Sequence, residues 1–127
     1  MEKSKVVLCD TNILIEFYKG NNNVLKSLEE IGQNNIVISI ITAGELIYGA
    51  LNKKELSIIR KDISFLTSYP LNQDICDVFI ELMVKYSLSH KLSLPDAFIA
   101  ATAIAKDVPL FTLNQKDFKY IKDLRMW

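Results

Sequence analysis

The chain has 127 residues, 50% of them hydrophobic and 24% charged, enough to bury a core as one globular domain, 1–127, without disulfides or structural metal. Lys plus Arg balances Asp plus Glu at 15 each, which excludes nucleic-acid binding driven by the global field but leaves room for a local basic patch. The single His90 and the isolated Cys9 and Cys76 exclude a His/Cys zinc site and a redox pair.

Free thiols predict a reducing, cytoplasmic setting. No charged segment followed by a long apolar one opens the chain, and no apolar run reaches membrane-spanning length, so no membrane partner is expected.

Val6-Val7-Leu8-Cys9 is apolar and β-branched, the pattern of a strand buried on both faces, and it runs straight into Asp10-Thr11-Asn12. Ile13 to Tyr18 then starts a helix. Asp10 is thereby expected at the C-terminal lip of a central strand, where open α/β sheets bind ligands. A carboxylate there is costly unless a cation or donors receive it, yet helix capping alone also accounts for it.

Gly20 to Asn23 is a loop, and Val24 to Ile31 a short helix stopped by Gly32. Ile36 to Ile41 reads as the second strand. Thr42 and Glu45 have capping-box spacing at the start of the next helix, which Leu46, Ile47, Ala50 and Leu51 carry toward the core. A helix from Lys53 to Leu66 aligns Leu56, Ile59, Ile63 and Leu66. Its opposite face of Lys53, Lys54, Arg60 and Lys61 suits solvation better than phosphate contact.

Ser68 to Leu71 has room for only a short strand, because Pro70 lacks a donor. Asp74 to Lys91 is the longest helix. Its stripe of Ile75, Val78, Phe79, Leu82 and Tyr86 is widened by Cys76, Ile80, Met83, Val84 and Leu88, which extra core burial explains most simply and a dimer face second. Ser93-Leu94-Pro95-Asp96 opens an Ala-rich, buried helix. Val108 to Thr112 is a strand, Asn114 to Phe118 a polar turn with a short helix, and Asp123 to Trp127 an edge-like strand. Strands alternating with helices give an α/β fold: a mainly parallel central sheet of four to five strands flanked by helices on both faces.

Glu45, Asp96 and Asp117 each stand three residues after Thr42, Ser93 and Asn114, and taken singly each is explained as a helix cap. Topology adds something. Asp10, Glu45 and Asp117 each follow a strand, and Asp96 heads a helix that runs antiparallel to the strand it enters. All four are expected at the same sheet edge. Two carboxylates about 4 Å apart repel by roughly 4 kcal/mol at an effective dielectric near 20. Such a cluster raises pKa values or captures a hard cation, Mg²⁺ or Mn²⁺, suited to in-line attack of water on a phosphodiester. Thr11, Asn12, Thr112 and Asn114 are polar neighbours placed to orient the acids, or else to bond locally in turns and caps.

The ordered set Leu8-Cys9-Asp10-Thr11-Asn12-Ile13-Leu14, Ile41 to Gly49, Leu94 to Ala103 and Thr112 to Phe118 resembles PIN-domain ribonucleases, and more narrowly VapC-type toxins of toxin–antitoxin pairs. The resemblance spans nearly the whole chain. It implies Asp10, Glu45 and Asp96 as metal-binding acids, with Asp117 the fourth unless Asn114 stands at that place. It also implies an RNA substrate, a homodimer and a small antitoxin that occludes the site. Two other readings stand beside it: a non-catalytic PIN-like module that binds RNA or protein, and a phosphoryl-transfer enzyme with Asp10 as nucleophile.

Overall fold

A computed structural model of the chain describes residues 5–127, so residues 1–4 of the expected domain range lie outside the described residues. Four strands form one sheet: β1 (Val7–Cys9), β2 (Ile36–Ser39), β3 (Thr67–Tyr69) and β4 (Leu110–Phe111). All pair in parallel, in the order β3-β2-β1-β4. The expected terminal strand shrinks to a single parallel bridge between Leu110 and Met126. Its ladder consists of Leu110 N–H to the Arg125 carbonyl and Trp127 N–H to the Leu110 carbonyl.

Side-chain alternation along these short strands builds two cores. Leu8, Val37 and Leu110 face one way, against Ile75 and Leu82 of α5 (Gln73–His90) and Ala97, Ile99 and Ala100 of α6 (Leu94–Lys106). Val7, Cys9, Ile36, Ile38 and Phe111 face the other way. They meet α1 (Thr11–Tyr18), α2 (Asn22–Ile31) and α3 (Ile40–Tyr48) through Ile13, Leu14, Leu28 and Leu46. Both faces are thus covered, as a parallel sheet requires. Helix α4 (Lys53–Ser64) lies outside this layer with no fully buried residue, touching the core through Ile59 and Ile63.

Several boundaries differ from expectation. The apolar run from Ile36 stops being a strand at Ser39, whose hydroxyl accepts from Ile41 N–H and caps α3, so Ile40 and Ile41 are already helical. Thr42 is therefore a buried helical residue, not a cap, and the expected Thr42–Glu45 capping box does not form. Ile47 and Leu51 remain exposed instead of entering the core. On α5, Ile80, Val84 and Leu88 are 58%, 78% and 87% exposed, so core burial does not account for the wide stripe.

After β4 the chain makes a single 3₁₀ turn, Gln115–Asp117, in which Asn114 makes no side-chain cap. Phe118, 1% exposed, anchors that turn in the α5–α6 core. Phe118→Ala is expected to cost about 3–5 kcal/mol by loss of buried area and a residual cavity. Urea unfolding followed by circular dichroism measures this, and a loss under about 1 kcal/mol would contradict the anchoring role.

Candidate metal and active site

Asp10 is the single residue between β1 and α1, and its backbone N–H continues the ladder to the Phe111 carbonyl at 2.9 Å. That bond sets Asp10 beside Thr112, the residue after β4. The Asp10 carboxylate is 6% exposed and both of its oxygens are engaged. Oδ1 accepts Thr11 N–H at 2.7 Å, and Oδ2 accepts the Thr112 hydroxyl at 2.7 Å. A carboxylate held at both oxygens is a poor nucleophile, which counts against the phosphoryl-transfer reading.

Thr112 Oγ1 is itself fully used. It donates to Asp10 and accepts from Asn12 Nδ2 at 3.3 Å and from Asn114 N–H at 3.1 Å. Asn12 Oδ1 accepts Leu113 N–H at 3.3 Å. The start of α1 is thus stitched to the exit of β4. On the other side, Thr11 Oγ1 donates to Glu45 Oε1 at 2.6 Å and lies 2.9 Å from Thr42 Oγ1. A hydroxyl has one proton, so Thr42 donates to Thr11. This Thr42–Thr11–Glu45 chain ties α3 to α1.

Asp96 enters from the first turn of α6, where its N–H donates to the Ser93 hydroxyl at 3.3 Å. This is the cap expected from the Ser93 spacing. Asp117 is exposed in the turn after β4, with its N–H on the Asn114 carbonyl. Asn114 contributes its backbone N–H to Thr112 and no side-chain bond.

The four acids share one electrostatic neighbourhood. Burial raises the Asp10 carboxyl above its ordinary value. The Thr112 and Thr11 hydrogen bonds oppose this, and the charges of Glu45 and Asp117 add to it. Asp96 is pushed up to about 6 by burial first, then by Asp10, against the Ser93 bond, with Asp117 and Glu45 adding to the rise. Among the described residues no Lys or Arg forms an ion pair with any of them.

Oxygen donors, excess negative charge and no protein cation fit a hard divalent ion. The fit is one of charge and donor type. Among the described residues no group of three or more His, Cys, Asp or Glu side chains is arranged to hold a metal ion. Asp10 accepts one hydrogen bond at each oxygen and Glu45 accepts one at Oε1, which leaves lone pairs on these oxygens for an ion. Cys9, buried beside Asp10, has its thiol pushed up to about 12 by burial and then by the Asp10 charge, and supplies no thiolate.

Sequence reasoning missed Thr42 as the far end of the hydroxyl chain, because its spacing to Glu45 imitated a cap. It also missed the rings next to the acids. Tyr120 lies close enough to Asp96 and Asp117 for their charges to raise its phenol, after burial. Tyr86 and His90, four apart on one face of α5, pack against Tyr120. That i,i+4 spacing was the available signal.

The model for the PIN domain family matches residues 7–124. Ribonuclease VapC1 of Methanocaldococcus jannaschii is 32% identical over 123 residues, covering 96% of this chain and 85% of that protein. A toxin–antitoxin complex from Klebsiella pneumoniae superposes with a TM-score of 0.80 at 34% identity, covering 93% of this chain and 94% of the other. VapBC2 from Rickettsia felis, solved bound to a DNA fragment from its promoter, gives 0.81 at 28% identity, covering 96% and 97%.

The raised Asp96 pKa carries a pH signature. The folded state holds this proton more tightly than the unfolded chain, so stability from this group is complete below about pH 4 and is lost as pH rises through about 6. In EDTA, Asp96→Asn is expected to raise Tm by a few degrees at pH 7, with the advantage shrinking toward pH 4. Thermal unfolding across that range tests it; a lower or pH-independent Tm difference would refute it.

Proposed function

The chain belongs to the PIN-domain family, and from that premise we propose that it is a divalent-metal-dependent endoribonuclease, the toxin of a toxin–antitoxin pair, hydrolysing RNA phosphodiester bonds. One observation carries the reading: Asp10 and Asp96, far apart in the chain, each lie within the charge of the other acids, and among the described residues none of the four is in an ion pair with Lys or Arg. The similarity to Ribonuclease VapC1 and to solved toxin–antitoxin complexes supports it. The whole chain, 1–127, is read as one PIN-like domain.

In this reading Asp10, Glu45 and Asp96 hold the ion, and Asp117 completes the set. A bound Mg²⁺ or Mn²⁺ supplies charge neutralisation at the phosphate and a lowered pKa for the attacking water. The protein's own part is positional. Thr112 and Thr11 N–H fix the Asp10 carboxylate, and the Thr42–Thr11 chain holds Glu45. Asn12 locks the β4 exit so that Thr112 keeps its aim. A hydroxyl lost at Thr112 leaves Asp10 Oδ2 buried and unpaired, which costs about 1–3 kcal/mol.

Two surfaces suit the partners. A cavity of about 540 Å³ between α1, α2 and α4 is lined by Leu14, Tyr18, Leu25, Leu46, Ile63 and Phe65, an apolar trough for a segment of the antitoxin. The exposed row Ile80, Val84 and Leu88 on α5 suits the same row of a second copy in a homodimer. Among the described residues no helix is long and apolar enough to cross a membrane. An RNA substrate and two free cysteines fit the cytoplasm.

Purified protein is expected to cut RNA with Mg²⁺ or Mn²⁺ and not with EDTA. Asp10→Asn or Asp96→Asn is expected to lower the rate at least ~100-fold while the fold survives. Expression without antitoxin should arrest growth, and the same substitutions should relieve the arrest. Cleavage at the normal rate by either variant would defeat the assignment. For the dimer, Val84→Asp is expected to sediment as a monomer at a concentration where the unaltered protein sediments as a dimer; no change in mass would defeat that interface.

A further inference from the structure

The rings beside the acids have an arrangement that packing alone does not demand. His90 and Tyr120 stack with centroids 4.0 Å apart and planes 10° from parallel. Tyr86 meets both edge-on, at 5.7 Å from His90 and 5.1 Å from Tyr120. The inner ring, Tyr120, is half-buried, whereas His90 is exposed at the last residue of α5. One face of the imidazole is therefore covered by Tyr120, and the residue still opens to solvent.

The stack is also held in place. The Ser89 hydroxyl lies 2.7 Å from His90 Nδ1, and the Tyr86 phenol accepts Lys122 N–H at 3.5 Å. His90 ends α5 shortly before Asp96 in the first turn of α6, and Tyr120 stands just after the turn that carries Asp117, so the pair lies next to the segments that bear two of the acids. Lys91 follows His90, and Lys119 and Lys122 flank Tyr120 along the chain. All three are exposed, and none is in an ion pair among the described residues.

We propose that the His90–Tyr120 stack is a base platform: an unpaired nucleobase of the RNA adds as a third ring on His90, beside the phosphate presented to the acids. The inference rests on the ribonuclease reading and deepens it by naming how the substrate is held. Three features select this occupant. Flat, rigid, preorganised rings suit the π-face of a base, which single-stranded RNA exposes and duplex RNA does not. Exposed lysines neighbouring the rings in sequence suit the flanking phosphates. Continuity with the acid site puts the stacked nucleotide next to the bond to be cut. His90 and Tyr120 are then positioning residues, acting on substrate placement and not on the reacting atoms.

The test uses short single-stranded RNAs carrying 2-aminopurine at one position at a time across the cleaved bond, with Ca²⁺ replacing Mg²⁺ so that stacking is read as fluorescence quenching without turnover. Steady-state cleavage in Mg²⁺ runs in parallel. The unaltered protein and Tyr120→Phe, which keeps the ring, are expected to quench one position beside the cut. His90→Ala, at an exposed site that should not disturb folding, is expected to lose the quenching and raise KM about tenfold, well beyond any fall in kcat. His90→Ala with Tyr120→Leu should do no less, its fold checked by circular dichroism.

Unchanged quenching and KM in His90→Ala would overturn the platform, as would a fall in kcat with KM unmoved. If the unaltered protein cuts no RNA, the ribonuclease reading fails separately, and 2-aminopurine moved along the whole oligonucleotide, with His90→Ala beside the unaltered protein, still decides whether the stack takes a base.

Discussion

Mutual repulsion among carboxylates, held together by backbone geometry, is the constraint on which the rest of the structure depends. Left free, Asp10, Glu45, Asp96 and Asp117 would move apart. They do not, because a parallel sheet brings the ends of its strands to one edge and the backbone N–H of Asp10 is committed to Phe111. The two cores above and below the sheet oppose that strain. Leu8 and Cys9, both fully buried, hold the strand that carries Asp10. Apolar burial on this scale, at about 25 cal/mol per Å², outweighs the few kcal/mol that crowded charges cost.

The threonines show how a protein holds acids near one another without neutralising them. Thr112, Thr11 and Thr42 give hydroxyls and no charge. A lysine in any of these places would satisfy the carboxylates and leave little demand for an ion. The hydroxyls instead fix direction and leave the field negative. With no cation to pull the carboxyls back down, burial dominates and both Asp10 and Asp96 rise.

Most of the sheet was legible in the residues because β1, β2 and β4 lie in continuous apolar runs and the breaks between elements are marked by Gly20, Gly32 and the asparagines, whereas β3, Thr67–Tyr69, is polar and short. Topology led to the expectation that the acids share one edge, since each follows a strand or heads the helix before one; the structure puts Asp10 and Asp96 within the charge of the other acids, without arranging three of them around an ion among the described residues. The limits were physical too. Ile36 to Ile41 is uniform in hydrophobicity, and only the cap by Ser39 tells where strand becomes helix. Glu45 fitted a capping box by spacing, yet its partner is Thr11, 34 residues away, which no local pattern reveals. The row Ile80, Val84 and Leu88 has the periodicity of a buried face, and periodicity does not say whether the cover comes from the same chain. The Tyr86–His90 spacing hinted at the ring cluster, but the stack itself was hidden because Tyr120 and His90 meet across 30 positions of sequence.

Strand β1 passes to α1 through Asp10 alone, and β2 passes to α3 with no intervening residue. There is no slack at either junction, and therefore no hinge. Breathing of the floor beneath the acids would require tearing ladder bonds from helix starts, a slow event on the scale of local unfolding. Whatever enters or leaves must be admitted by rotamer flips, which take picoseconds to nanoseconds for exposed groups such as Glu45 and Asp117. The acid edge is thus stiff in its backbone and quick in its side chains, so its tempo is set by what docks over it and not by the strands that carry it.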